Sequence, residues 1–178
     1  MHFGKVVSGQ SIISKYPLKD HNRIVLERVA DAPFYRDALY LERLAQITKV
    51  TIQNKEIVLI NVHLEAFDKP TRVKQFQEVL QLFNNYKKEY PVILLGDFNS
   101  KARDKKAAIQ QLLQMETVGN AAYIKDNLTN TFDSKNPHKR IDYIFFTKNT
   151  IELISGKFLQ QFGEASDHFP VFMEFKLK

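Results

Sequence analysis

Ten residues in the middle of the chain, Pro91 to Ser100, constrain its fold more than any other stretch. After the proline come four large apolar residues and then a glycine, a pattern typical of a short strand that is buried on both faces of a sheet. Asp97 and Asn99 follow directly, and in an extended backbone two such side chains point the same way. A buried acid and amide need polar partners, so the stretch predicts a polar site at the end of a central strand. Gly, Asp, Asn and Ser also form ordinary turns, and the local sequence leaves that alternative open.

The composition excludes several classes of protein. With 178 residues, 44% hydrophobic and 26% charged, the sequence predicts a single globular domain over residues 1–178. It contains no cysteine, which excludes disulfides, thiolate nucleophiles and cysteine-ligated metals. No apolar run is long enough to span a membrane, and no signal peptide is visible at the start. The net charge of +6 favours an anionic partner, such as a phosphate-bearing substrate.

Patterns typical of strands and helices alternate along the rest of the chain. Strands are predicted at residues 8–17, 47–52, 57–63, 92–95, 141–146, 151–154 and 171–177. The second and third runs are predicted to form a hairpin through Gln53 to Glu56. Start signals at Asp68 predict an amphipathic helix to about Lys88, with an apolar stripe that begins at Val73, and a second helix is predicted over 104–115. The predicted fold class is therefore a layered α/β fold with mixed sheets.

Two further segments place residues that could take part in catalysis at strand ends. The strand that follows Arg140 puts Asp142 on one face with two large apolar side chains. If that face is buried, the carboxylate needs a cation, a histidine or a metal to stay ionised, and a plain surface position is the alternative. Near the C-terminus, Asp167 and His168 are adjacent and would point to opposite sides of an extended segment. A histidine oriented by a buried carboxylate is a plausible general base.

Oxygen donors dominate the polar residues found at the predicted strand ends. The set is His63, Glu65, Asp97, Asn99, Asp142, Asp167 and His168. Such a set fits a hard divalent cation, Mg²⁺ or Mn²⁺, better than zinc. The ion would act as a Lewis acid on a phosphate while a His–Asp pair activates water.

Six short segments, taken in order, resemble the endonuclease/exonuclease/phosphatase superfamily. They are residues 11–17, 61–64, 96–99, 131–132, 140–144 and 166–171. Each is a weak pattern alone, but all six in the same order make a strong one. The resemblance implies a four-layer α-β-β-α sandwich with two mixed sheets and a metal-dependent phosphoester hydrolase.

The resemblance also implies catalytic roles for five residues. His168 resembles the general base, and Asp142 resembles the carboxylate that orients it. Asp97 would hold or orient the attacking water, with Asn99 beside it on the phosphate. His63 resembles a phosphate contact.

The implied metal ligands are Asp167, Asp97 and Asn99, and the implied cofactor is Mg²⁺ or Mn²⁺. The sequence departs from the family pattern at its start, because the family domain begins with segments that supply an asparagine and the glutamate that is the main metal ligand. The chain resembles only the part that follows them, so the N-terminal strands of the sandwich are expected to be missing. We therefore expect poor metal binding and little activity from this chain alone. Glu27 and Glu65 are available carboxylates, but neither lies where the family's glutamate does.

Several properties stay open at the level of sequence. The alternative to a hydrolase is a catalytically impaired fragment that acts as a binding or interaction module. Missing strands would expose an apolar sheet edge, which favours a homodimer. Basic charge favours nucleic acid as the substrate, but the aromatic residues are not interleaved with lysine and arginine as in a stacking platform, so DNA, RNA, a small phosphate ester and a lipid phosphate all remain candidates. The compartment is also open, since a signal peptide could precede residue 1.

Overall fold

The protein folds into a six-stranded mixed sheet that packs against helices on one face and a two-stranded sheet on the other. The structure, a computed structural model, describes residues 9–30, 41–122 and 130–178, without the side chains of 162–164. The strands are β1 (Leu18–Val25), β2 (Leu44–Ile52), β3 (Lys55–His63), β4 (Val92–Asp97), β5 (Val118–Asn120), β6 (Asp142–Thr147), β7 (Ile151–Phe158) and β8 (Val171–Leu177). The helices are α1 (Lys69–Tyr86), α2 (Gln110–Leu113) and a 3₁₀ helix (Gln160–Ala165).

Strand β4 lies in the middle of the large sheet, whose order is β1-β2-β3-β4-β6-β5. Val92 and Leu94 are completely buried, and Ile93 is nearly so. The predicted central strand is thus confirmed. β4 runs parallel to β3 and antiparallel to β6, so the ends of β3 and β4 meet the start of β6 at one edge of the sheet. This arrangement places the polar residues that follow β3 and β4 beside those that begin β6.

The β2–β3 hairpin is also as predicted, and its turn fixes its register. Gln53 and Asn54 both have positive φ, 50° and 63°, as a two-residue type I′ turn requires. The resulting register sets Leu44 opposite His63. The hairpin therefore brings the start of β2 to the same edge as the end of β3.

Helix α1 begins where the sequence predicts and covers one face of the large sheet. The Asp68 side chain caps it by accepting a hydrogen bond from the Thr71 amide at 2.8 Å. Its buried stripe includes Phe76 and Phe83, which pack into the same core as β4. Val73 does not belong to this stripe: it is 37% exposed and lines a cavity.

The other face of the large sheet packs on β7 and β8. Ile93, Phe146 and Ile151 are buried between the two sheets. Other apolar residues there are only partly buried, among them Leu95 and Phe175. The α/β class with two facing sheets is thus confirmed, and the described residues form the helix layer and both sheet layers of the predicted sandwich. The smaller sheet is antiparallel rather than mixed in the part that is described.

Two local predictions are wrong. Residues 9–17 form no strand, and β1 begins only after Pro17, where the chain pairs with β2. The predicted helix over 104–115 is reduced to α2, because the basic residues that follow Asp104 offer no apolar side chain to the core and the Asp104 carboxylate accepts the Lys106 amide in a turn. The edge strand β1 carries mostly polar and charged side chains, so the apolar edge predicted from the sequence does not lie at β1. Among residues 9–30, 41–122 and 130–178, no helix has both the length and the apolar character needed to cross a membrane.

Gly96, at the end of β4, is expected to tolerate no side chain. Its φ is +130°, and an added Cβ would lie 2.0 Å from the backbone oxygen of Val62 on β3. We expect Gly96→Ala to lower the free energy of unfolding by about 3 kcal/mol or more, measured by urea denaturation. Gly9→Ala is the control, since a Cβ there meets nothing within 4 Å. Equal stability of the two variants would contradict the strained geometry assigned to Gly96.

Candidate active site

Five of the residues singled out in the sequence meet at the edge where β3 and β4 end and β6 begins. His63 pairs with Asp97 across β3 and β4, and Asp97 pairs with Asp142 across β4 and β6. The segment before β8 brings His168 to the same place. Asn99 is the fifth residue of this group. All of the five except Asp142 line one cavity of about 660 Å³.

Asp142 and His168 form a hydrogen-bonded pair. Nδ1 of His168 lies 2.9 Å from Oδ2 of Asp142. Because the carboxylate accepts, Nδ1 carries the proton and Nε2 keeps its lone pair. The hydrogen bond from Asp142 raises the pKa of His168 above its ordinary value. The imidazole is therefore both oriented and made more basic.

Thr131 and Phe132 hold this pair in place. The Thr131 hydroxyl accepts the backbone amides of Ile141 and Asp142 at 3.2 and 3.3 Å, which fixes the start of β6. The Phe132 ring lies 5.0 Å from the His168 ring. Both residues belong to the family-like segments of the sequence, but the sequence alone assigned them no task.

Asp97 and Asn99 are brought together by a turn and not by an extended strand. Asn99 has a φ of +46°, and its backbone amide donates to Oδ1 of Asp97 at 2.7 Å. Its side-chain Nδ2 donates to Oδ2 of Asp97 at 3.2 Å and to the backbone oxygen of Leu64 at 2.9 Å. The expectation that the two side chains lie together is correct, but the reason given for it is wrong. The turn and the polar site, which the sequence left as alternatives, are both present.

The site concentrates negative charge in a partly buried position. Burial, together with the nearby carboxylate of Asp142, raises the pKa of Asp97 to about 7. One ligand atom each from Asp97, Asp142 and His168 lie within 4.8 Å of one another. When two carboxylates lie this close, the repulsion between their charges disfavours the ionisation of both. A hard divalent cation would compensate this repulsion. The residues present therefore fit a divalent cation. Asp167 lines the same cavity but is outside this cluster.

Arg43, which the sequence did not indicate, lies against His63. Its Nη1 is 2.8 Å from Nε2 of His63, and its Nε is 3.4 Å from a carboxylate oxygen of Glu65. Burial and, next, the charge of Arg43 lower the pKa of His63 to about 4. His63 is therefore neutral at neutral pH, so the 3.7 Å approach of its Nε2 to Asp97 is not an ion pair. Nη1 of Arg43 also lies 3.3 Å from Nδ1 of His63, so the guanidinium faces both ring nitrogens.

The geometry and the comparisons with known proteins lead to one assignment. A family model described as the Endonuclease/Exonuclease/phosphatase family matches residues 2–168. The chain belongs to this family. Its name covers nucleases and phosphatases, that is, phosphoester hydrolases.

Individual proteins similar to this chain agree with the assignment. The UPF0294 protein of Vibrio campbellii is 28% identical over 142 residues, which are 78% of this chain and 47% of that protein. A family structure from Bacteroides vulgatus matches with a TM-score of 0.69 at 20% identity, over 92% of this chain and 67% of the other. The mannosyl-6-phosphatase of Bacteroides thetaiotaomicron matches with a TM-score of 0.69 at 22% identity, over 91% and 67%. The chain spans about half to two thirds of the length of the curated relatives it matches first.

Arg72 and Gln75, on helix α1, make contacts that stabilise the fold around the site. Arg72 donates to the backbone oxygens of Glu65 and Ala66, both at 2.9 Å. Gln75 accepts from the Glu65 amide at 2.7 Å and donates to the backbone oxygen of Glu27 at 2.6 Å. Glu65 itself is buried, and its carboxylate accepts from Arg43 and from the Phe67 amide. These hydrogen bonds fix the turn between β3 and α1, which borders the cavity of the candidate active site.

The link from Arg43 to His63 can be measured. We expect nuclear magnetic resonance to show His63 titrating at about pH 4, so that it is neutral at neutral pH. Arg43→Met removes the guanidinium charge, and the pKa should rise toward the ordinary 6.5 but stay below it because burial remains. An unchanged titration midpoint in the variant would show that Arg43 does not control the protonation of His63.

Proposed function

We propose that this chain carries the catalytic residues of a phosphoester hydrolase that depends on Mg²⁺ or Mn²⁺. The observation that supports this most is the 2.9 Å hydrogen bond from His168 to Asp142, at the edge of the sheet where Asp97 also lies. A histidine with its Nε2 free, beside a carboxylate-rich cation site, is the arrangement that hydrolysis of a phosphoester requires.

His168 is the general base in this proposal. Its Nε2 accepts a proton from a water molecule as the water oxygen attacks phosphorus and the ester oxygen leaves. Asp142 keeps Nδ1 protonated and stabilises the positive charge that the imidazole gains. Asp97 positions the water, since its carboxylate lies next to both of these residues.

Two other groups bind the phosphate. His63 lies in the wall of the cavity beside Asp97, where its neutral imidazole can contact a phosphate oxygen. Asn99 is held beside Asp97 by three hydrogen bonds, which fix its amide in the cavity. The proposed metal ligands are Asp97, Asn99 and Asp167, of which Asp97 belongs to the cluster with Asp142 and His168 and the other two line the same cavity. A bound Mg²⁺ or Mn²⁺ supplies Lewis-acid polarisation of a phosphoryl oxygen.

The substrate class follows from the charges around the cavity. Lys69, Arg72, Lys101 and Lys139 line it together with the proposed catalytic groups. They favour a phosphodiester or phosphomonoester, nucleic acid included, because each adds positive charge near the reacting phosphate.

Self-association is a separate part of the proposal. The partly exposed apolar residues between the two sheets, such as Leu59, Leu95 and Phe175, would lose further contact with water in a homodimer. Light scattering that finds only monomers, with no binding of a hydrophobic dye, would exclude it.

Hydrolysis of bis(p-nitrophenyl) phosphate and of plasmid DNA with Mg²⁺ or Mn²⁺ tests the proposed activity. The sequence leads us to expect slow turnover from this chain alone, and that turnover should be abolished by a chelator and restored by added metal. A folded protein, by circular dichroism, that shows no turnover with either substrate would contradict it. That result would favour the alternative function, a binding module that keeps the fold.

A further inference from the structure

The cavity at the candidate active site is larger than a phosphate group needs. Its volume of about 660 Å³ is within the range of roughly 300–1,000 Å³ typical of pockets that hold whole small molecules. Beside the groups described above, its lining includes an apolar set from α1 and from the segments that precede α1 and α2. This set, which we call the apolar arm, consists of Ala66, Phe67, Val73, Phe76, Ala107 and Ala108.

The apolar arm lies between two elements that are tied together. One wall is the first turns of α1 and the other is the segment that leads to α2. Lys69 and Asp104, one on each wall, lie 3.9 Å apart as an ion pair. The small side chains of Ala107 and Ala108 leave space on the second wall, and Val73 is exposed to the cavity instead of packing on the sheet.

Phe67 stands at this arm with an unusual degree of exposure. Its side chain is 86% exposed, although large apolar side chains gain free energy when they are buried. Its backbone is nevertheless fixed, since its amide donates to the buried carboxylate of Glu65 at 2.9 Å. An exposed aromatic ring on a fixed backbone, beside a phosphate site, is a surface on which another aromatic ring can stack.

The charges around Phe67 indicate what such a ring would be attached to. Lys69, Arg72 and Lys101 line the same cavity. Cations in such a lining attract an anion and also favour the face of an aromatic ring. The ligand that matches both the cations and the apolar arm is an anionic phosphate joined to a compact aromatic group.

We propose that the apolar arm binds an aromatic substituent of the phosphoester, stacked on Phe67. The inference rests on the proposed function, because it takes the phosphate to bind beside Asp97 and His168. The aromatic group can come from a simple aryl ester or from a nucleobase, and both would use the same stacking surface.

Binding of inert phosphonates in the presence of Mg²⁺, measured by calorimetry, tests the arm without requiring turnover. We expect phenylphosphonate to bind at least about fivefold more tightly than methylphosphonate. In Phe67→Ala this ratio should fall toward one. Phe172→Ala is the matched control, since Phe172 is an exposed phenylalanine on β8 outside the cavity, and there the ratio should stay as in the unchanged protein. Thymidine 5′-monophosphate, compared with deoxyribose 5-phosphate, shows whether a nucleobase gains as the phenyl ring does.

A second variant keeps the test decisive if the loss of Phe67 disturbs the loop. Ala108→Leu narrows the arm from the opposite wall and should also lower the phenyl-to-methyl ratio. A ratio near one in the unchanged protein, or a ratio that neither variant alters, would overturn the proposal. Phosphonate binding involves no bond cleavage, so it tests the apolar arm independently of the proposed hydrolase activity. A high phenyl-to-methyl binding ratio without hydrolysis of any substrate would contradict only the hydrolase. Hydrolysis together with a ratio of one would contradict only the aromatic arm.

Discussion

Replacing His168 by alanine is expected to lower the rate of metal-dependent phosphoester hydrolysis by about 10²–10⁴-fold, which is the usual contribution of a general base. Nδ1 of His168 is held by Asp142 at 2.9 Å, so its Nε2 is the oriented lone pair of the site. Alanine at this position removes the proton acceptor. The rate constant kcat with bis(p-nitrophenyl) phosphate is the quantity to measure, because loss of the base should reduce kcat more than it changes KM.

The control for this experiment is another histidine of the same chain. His21 is exposed on the edge strand β1 and belongs to none of the site's contacts described above. His21→Ala should leave kcat unchanged, and circular dichroism should show both variants folded. Activity of His168→Ala within a few-fold of the unchanged protein would mean that His168 is not the base.

Asp97 is expected to destabilise the metal-free protein, and Asp97→Asn should therefore stabilise it. The pKa of Asp97 is about 7 in the folded state, against 3.8 ordinarily, so the folded protein holds a proton that the unfolded chain releases. The contribution of Asp97 to stability is then most favourable below about pH 4 and falls as the pH rises toward 7. A shift of this size corresponds to a few kcal/mol above neutral pH, at about 1.4 kcal/mol for each pKa unit. Because asparagine would also lose about 1 kcal/mol in hydrogen bonding to Asn99, we expect a net gain of about 1–2 kcal/mol.

Thermal unfolding at pH 8 measures the stability without metal, in a chelator, and with metal, in Mg²⁺. In the chelator, Tm of Asp97→Asn should exceed that of the unchanged protein by several degrees, at about 2–4 °C for each kcal/mol. Mg²⁺ should raise Tm of the unchanged protein, because the cation compensates the carboxylates, and should raise that of the variant much less. The matched change is Glu152→Gln, at an exposed carboxylate on β7, and the Tm of that variant should follow the Tm of the unchanged protein in both conditions. A variant less stable than the unchanged protein in the chelator would contradict the proposed charge repulsion.

Sequence alone determined the elements whose formation depends on neighbours in the chain. The apolar run of β4 could be buried only as a central strand, the turn at Gln53 and Asn54 fixed the hairpin, and Asp68 capped α1. From these elements it follows that residues at the ends of β3, β4 and β6 meet at one edge. The grouping of His63, Asp97 and Asp142 was therefore within reach of the sequence.

The tertiary structure decided the features that depend on contacts between distant segments. Arg43 looks like any charged residue before a strand, and only the hairpin register, with Leu44 opposite His63, brings its guanidinium to that imidazole. Asn99 has a left-handed backbone conformation, and its side chain donates to the backbone oxygen of Leu64. Neither feature is present if the segment is taken to be an extended strand. Residues 9–17 have strand-like composition, but a strand needs a partner, and pairing with β2 begins only at Leu18. Local patterns report what a segment can bury, whereas the partner of a hydrogen bond or a charge is set only when the chain has folded.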